Sequence, residues 1–478
     1  MTMSTLLTPR LLSAISMLLA CTAIGADLPK AVIKPAESTV QRQKERQKER
    51  SAAAERGYRV LVDKALLTSD FSQEVFDRLW ECWPEELRSQ AKRGTEKKRR
   101  EMAFQRYGLT ARPDDPRKPL QYVVDKDGNW TMNCFSCHGG TVYGQSYAGA
   151  PNNRFALQTL TEEVRKTKFK MGKPLSRMDV GSLVIPLGTT NGTTNAVVFG
   201  MGLMSQRDEK LNLVAAAPRK LIHHDMDAPA WWNFHKKPNI YIDGFAEKGH
   251  RGLMQFMMIP ENGRDFFIKH EDDFRDVYAY LSSLRPPEFP GEIDTELAER
   301  GRGIFQQNCA ECHGTYGHTP TYPNRRIPIN DVGTDPVRLT ALGVEGRRKY
   351  SRSWFAHGDD SEPQTTIIDP DGYVAPPLDG IWASAPYLHN GSVPTLWHLL
   401  NPTQRPTVWR PVSQQLDSEL IGLTIRIEEK TPLMELDAAT RRSYFDTRRF
   451  GKSNAGHDYP EELTKNQRKA VLEFLKTL

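Results

Sequence analysis

The chain has 478 residues, of which 38% are hydrophobic and 26% charged, and its formal net charge is +6. That length predicts two or three domains, and that balance excludes a disordered chain and a multi-span membrane protein. The basic run Lys97-Lys98-Arg99-Arg100 is flanked by Glu96 and Glu101, which reads as a solvated helical face and leaves no nucleic-acid footprint.

Residues 1–26 read as an export signal. Arg10 precedes an apolar run, Leu11 to Ala20, too short for a stable anchor, and small residues place cleavage near Ala26. Leu18-Leu19-Ala20-Cys21 resembles a lipobox, so lipid attachment at Cys21 is the rival reading. No later segment is long and apolar enough for a transmembrane helix, and a periplasmic or secreted protein is expected. Residues 27–104 form a charged, helical N-terminal extension. Up to about residue 60 it has no apolar stripe and is expected outside any core. Phe71, Val75, Leu79 and Trp83 then recur every fourth residue, as on one helix face.

The segment 105–285 opens with a proline-rich stretch and a hairpin pattern around Asp127-Gly128. The motif Cys134-Phe-Ser-Cys137-His138 follows. Residues 175–215, rich in Gly, Thr and Asn, read as loops. "DAPAWWNF" and the Met-rich "LMQFMMIP" come next, and a helix with Phe274, Val277, Tyr278 and Leu281 on one face closes the segment. "RPPEFPGE" is the clearest boundary, since adjacent prolines exclude helix. In 292–478, Asp294 caps a helix leading into Cys309-Ala-Glu-Cys312-His313, and Thr464 with Gln467 forms a capping box on the last helix.

Two of the six cysteines stand apart: Cys21, and Cys82, for which the sequence gives no role. The other four form the two CxxCH motifs. On a helical turn, residues i and i+3 project to one side, so two thiols can add to the vinyl groups of one haem while the next histidine supplies an imidazole to the iron. A four-cysteine zinc site would keep its pairs within a few tens of residues, roughly, and a redox dithiol needs no histidine after both pairs. The expected cofactors are two covalently bound haem c groups, with iron on His138 and His313; nothing indicates a calcium ion. The sixth ligand of the second iron is expected to be His457, just before the closing helix, with His389 as competitor. For the first iron, His250, Met254, Met257 or Met258 would close the site, whereas Phe256 or Phe245 over the iron would leave it open; core packing is the other reading of the methionines. Trp231 and Trp232, between the motifs, are candidate electron relays or buried packing.

The two CxxCH motifs, "YVAPPLDGIWASAPYLHNGSVPTLWHLL" (Tyr373 to Leu400) and the terminal "NAGHDYP" and "LEFLKTL" resemble those of the bacterial di-haem cytochrome c peroxidases, and within that superfamily the rubber-oxygenase-like branch. The resemblance covers about residues 105–478. It implies a mainly α fold: two cytochrome-c-like haem domains with long loops, added here to the N-terminal helical extension. It also implies a reactive N-terminal haem, an electron-transferring C-terminal haem with His457 as distal ligand, His389 beside that haem without binding iron, and Trp231 or Trp232 between the two. The chain is shorter than the rubber oxygenases, and its first haem lacks an obvious distal histidine and acid pair. The expected function is that of an exported haem-dependent oxidoreductase of peroxidase or oxygenase type, served by a redox partner protein. The alternative is an electron carrier or redox sensor with both irons six-coordinate, or a wiring module of a larger complex.

Overall fold

The computed structural model describes residues 37–478 except 216–220, 359–362, 433, 435 and 436, with side chains from residue 48 onward. The expected signal segment, with Cys21, lies outside the described residues. The chain divides into a unit Met1–Lys48 and a unit Glu49–Leu478. The second unit holds three clusters of buried side chains. Phe135, Trp231 and Phe274 mark the first, Trp232, Phe305 and Trp382 the second, and Phe76, Trp83 and Trp130 the third.

The N-terminal helix Glu37–Asp63 departs from expectation at its C-terminal end. Ala54, Val60, Leu61 and Val62 are buried in the first cluster, and Arg56 grips Asp276 through two bonds of 2.7 Å. The last two turns are therefore core. Phe71, Val75, Leu79 and Trp83 are all buried, as their spacing requires, but they do not share one helix. Phe71–Ser72 is a strand, Gln73–Asp77 a short helix capped by Ser72, and Leu79–Cys82 a 3₁₀ turn. Phe71 pairs with Trp130 of the predicted hairpin, whose strands are Tyr122–Val124 and Asn129–Met132. Tertiary pairing overrides the helical period there.

Residues 175–215 are also more ordered than a loop reading allows. They contain the helices Arg177–Val184 and Ala196–Ser205. Ser176 and Asp179 form a capping box for the first, a signal hidden by the glycines around it. The helix Glu271–Ser283 buries Phe274, Val277 and Leu281 as expected, but Tyr280 is buried in place of the expected Tyr278, which is half-buried.

In the C-terminal segment, the helix Thr295–Asn308 packs on the last helix, Lys465–Lys476. Asp294 accepts the amide of Leu297 at 2.9 Å, and Thr464 with Gln467 closes the predicted capping box. The helices touch at Gly301, where a Cβ would stand 1.9 Å from the carbonyl oxygen of Ala470. Gly301→Ala is therefore expected to destabilise the fold by about 1–3 kcal/mol, the usual cost of overpacking a tight contact, seen as a lower urea midpoint at unchanged slope. The helix Thr295–Asn308 runs straight into Cys309, which positions the second CxxCH motif.

Candidate functional site

Both CxxCH motifs end on a single helical turn, Phe135–His138 and Ala310–His313. Burial pushes the Cys134 thiol up to about 12 and those of Cys137 and Cys309 to about 11, and raises Cys312 by the same cause. Among the described residues, no three His, Cys, Asp or Glu side chains converge as metal ligands would.

The two histidines are held alike. His138 Nδ1 lies 3.0 Å from the carbonyl oxygen of Pro229, and His313 Nδ1 lies 2.8 Å from that of Pro376. A neutral imidazole that donates from Nδ1 keeps its Nε2 lone pair for a metal, and the carbonyl fixes both tautomer and ring orientation. Burial keeps both rings neutral, lowering His138 to about 4 and His313 below its ordinary value. Sequence reasoning missed these two prolines. The one shared signal is an Ala-Pro pair, Ala228-Pro229 and Ala375-Pro376, downstream of each motif.

His457 faces His313. Their ring centres are 6.1 Å apart at an interplanar angle of 62°. Two imidazoles on one metal atom, with metal–nitrogen bonds of about 2.0–2.1 Å, would have ring centres about 6.3 Å apart, so the centre-to-centre spacing is compatible with a shared metal. The loop that delivers His457 is strained into place. The residue has φ 53°, its amide donates to Val332 O at 2.6 Å, and Arg405 holds the carbonyl of Gly456 at 2.6 Å. Its buried Nδ1 has no partner among the described residues, and burial lowers the ring to about 3. His389 instead packs on the Tyr373 ring at 4.5 Å and bonds the backbone of Asp335.

No imidazole faces His138 in this way among the described residues. Trp231 stacks on its ring at 4.5 Å and 21°. His250 is engaged by Glu271 at 3.0 Å, Phe245 packs on Tyr350, and Met254 and Met258 are buried in the first core cluster. Phe256 and Met257 reach the cavity that His138 lines.

That cavity is continuous. Its volume is about 1200 Å³, and both cysteine pairs, His138, His313, His457 and His389 line it. It exceeds the 300–1,000 Å³ typical of a single ligand site, and its walls are mostly apolar, as a porphyrin requires. One acid on the wall had no sequence signal. Asp227 is half-buried, its shielded Oδ1 has no hydrogen-bond partner among the described residues, and burial raises it well above the usual carboxylate range beside Cys137 and Tyr387.

The adjacent tryptophans connect the two motifs. Trp231 belongs to the first core cluster and Trp232 to the second. Trp232 Nε1 donates to the Asp379 carbonyl at 2.7 Å, three residues after the Pro376 that holds His313.

Residues 372–410 match the family model described as RoxA-like, cytochrome c-like. Two uncharacterized proteins of Sinorhizobium fredii (strain NBRC 101917 / NGR234) are similar to this chain. The protein y4iM is 31% identical over 204 residues, 38% of this chain and 45% of that protein. The protein y4iJ is 29% identical over 261 residues, covering 41% and 42%. Hydrazine synthase subunit gamma of Kuenenia stuttgartiensis is 29% identical over 160 residues, covering 30% and 45%. The chain thus spans less than half the length of the curated relatives it matches. A solved structure of Kuenenia stuttgartiensis hydrazine synthase, pressurized with xenon, aligns over 64% of this chain and 93% of its own, at 14% identity and a TM-score of 0.24. No helix among the described residues is long and apolar enough to cross a membrane. The matched segment contains the Tyr373–Leu400 string, and over these residues the chain is similar to the RoxA-like, cytochrome c-like family.

Proposed function

We propose that the chain is an exported di-haem c-type cytochrome acting as a haem-dependent oxidoreductase, with one haem on Cys134, Cys137 and His138 and the other on Cys309, Cys312 and His313. The observation that carries this reading is an asymmetry. His457 stands opposite His313 at 6.1 Å, while no imidazole opposes His138 among the described residues. Haem iron supplies one-electron transfer where both axial positions are filled, and binding of O2 or peroxide where one is free.

The protein's own residues divide the work accordingly. His313 and His457 would hold the C-terminal haem iron between them, and a haem with both ligands from the protein supplies electron transfer. His138, fixed by Pro229, would hold the other haem, beside the cavity wall that Phe256 and Met257 help to form. Asp227, whose carboxyl burial raises well above the usual carboxylate range, stands at the cavity wall. Trp231 lies against His138, and Trp232 continues through its bond to Asp379 toward Pro376 and His313. This gives a short, mostly covalent path between the sites. Electrons enter or leave through a redox partner protein.

The spectrum of the purified ferric protein tests the reading. A high-spin signal together with a low-spin signal is expected, and cyanide or CO should bind about one iron per chain. A purely low-spin spectrum with neither ligand binding would remove the enzyme reading and leave an electron carrier.

A further inference from the structure

Beside the large cavity lies a smaller one of about 210 Å³; Tyr241, Gln255 and Phe256 stand in the wall of both. Arg338 lines the smaller cavity and is 1% exposed. Its Nε, Nη1 and Nη2 make no hydrogen bond among the described residues. Nη1 lies 3.2 Å from Asp243 Oδ2, but out of hydrogen-bonding line. That carboxylate is already taken by Arg347, whose Nη2 donates to it at 2.7 Å and whose Nε donates to Leu342 O at 2.8 Å. Asp335 spends its two oxygens on the amides of Val337 and Ser453, at 2.9 and 3.0 Å. Two buried guanidiniums therefore share one carboxylate, and one of them makes no hydrogen bond among the described residues. A guanidinium cannot shed its proton, so burial does not neutralise it. The neighbouring His224 adds a second orphan, a buried Nε2 without a partner.

Five donors in a planar fork match a carboxylate bidentately. We propose that Arg338, whose guanidinium lies over the ring of Tyr241 in the wall shared by both cavities, anchors a carboxylate. The carboxylate has two chemical sources. One is a propionate side chain of a haem held at either CxxCH motif, which rests on the reading above. The other is a small free carboxylate entering the side cavity. Tyr373 and His389, on the wall of the large cavity, are within electrostatic reach of Arg338, and this proximity favours the propionate.

The test uses the haem-loaded protein as wild type, Arg338→Gln and Arg338→Lys. Arg347 still neutralises Asp243 in both variants. Haem content is counted first by the pyridine haemochrome assay; a haem-free wild type defeats the haem reading and leaves the carboxylate titration to decide Arg338. For a propionate, Arg338→Gln lowers the reduction potential of one haem, because a buried positive charge favours the reduced state. The propionate bending bands in resonance Raman also shift, and sodium acetate changes nothing. For a free carboxylate, acetate or benzoate raises the wild-type melting temperature saturably against sodium chloride at equal ionic strength. Arg338→Gln then weakens that binding roughly tenfold to a hundredfold, the worth of a charge-assisted bond. Should Arg338→Gln not fold, Arg338→Lys keeps the charge and hence the potential, but a point charge cannot reproduce the fork, so it should still shift the propionate bands or weaken carboxylate binding. Folded variants with wild-type potentials, unmoved propionate bands and no carboxylate-dependent stability would overturn the proposal.

Discussion

Replacing Cys134 and Cys137 by serine is expected to halve the haem content of the purified protein, from two groups per chain to one. Intact mass would fall by one haem beyond the two substitutions. The remaining spectrum should be low-spin only if the surviving iron is held by both His313 and His457, as proposed, and cyanide binding should then vanish with the lost site. The matching change at Cys309 and Cys312 should leave the high-spin species and its cyanide binding. The two variants are not interchangeable, and that is their value: equal spectra from both would mean that the sites are equivalent. The first site is also harder to remove cleanly. Phe135, between its two cysteines, is fully buried in the core with Trp231 and Phe274, so losing the haem there should cost more stability than losing it at Ala310–His313, where no residue is fully buried.

The second large effect is expected at His457. Its backbone occupies the left-handed region, φ 53°, which costs a non-glycine residue about 1–2 kcal/mol. His457→Gly therefore removes the imidazole without adding backbone strain, whereas alanine would keep the strain and lose the ring. The variant should fold, keep both haems and convert the second iron from low-spin to high-spin. CO or cyanide should then bind about two irons per chain. Added imidazole should restore the low-spin spectrum by entering the space of the missing ring. A spectrum unchanged by His457→Gly would assign the ligand elsewhere, with His389 the nearest alternative on the cavity wall.

The parts of this site legible in the sequence were those whose chemistry fixes a spacing. Thioether attachment would dictate the spacing of Cys134, Cys137 and His138, and equally of Cys309, Cys312 and His313; the expectation that His457 returns toward His313 agrees with their ring centres lying 6.1 Å apart. The parts that were not legible are backbone or long-range. A carbonyl acceptor such as Pro229 or Pro376 carries no side-chain signature, because every residue has one. Arg338 and Asp243 meet only through tertiary packing. The period of four at Phe71–Trp83 correctly marked burial and wrongly marked one helix, since Phe71 is buried by pairing with a strand. The glycine-rich helices Arg177–Val184 and Ala196–Ser205 were hidden by weak propensity, although Met178 and Phe199 from them line the large cavity.

Trp231 and Trp232 sit in different cores although they are consecutive residues. The crossing from one half of the interior to the other thus occurs within one peptide unit. Loops elsewhere can lengthen over evolutionary time with little penalty, but an insertion or deletion of a single residue at this point would turn one indole away from its cluster and break the register of both. Relatives that diverge freely around this point should nonetheless keep the two aromatic positions contiguous.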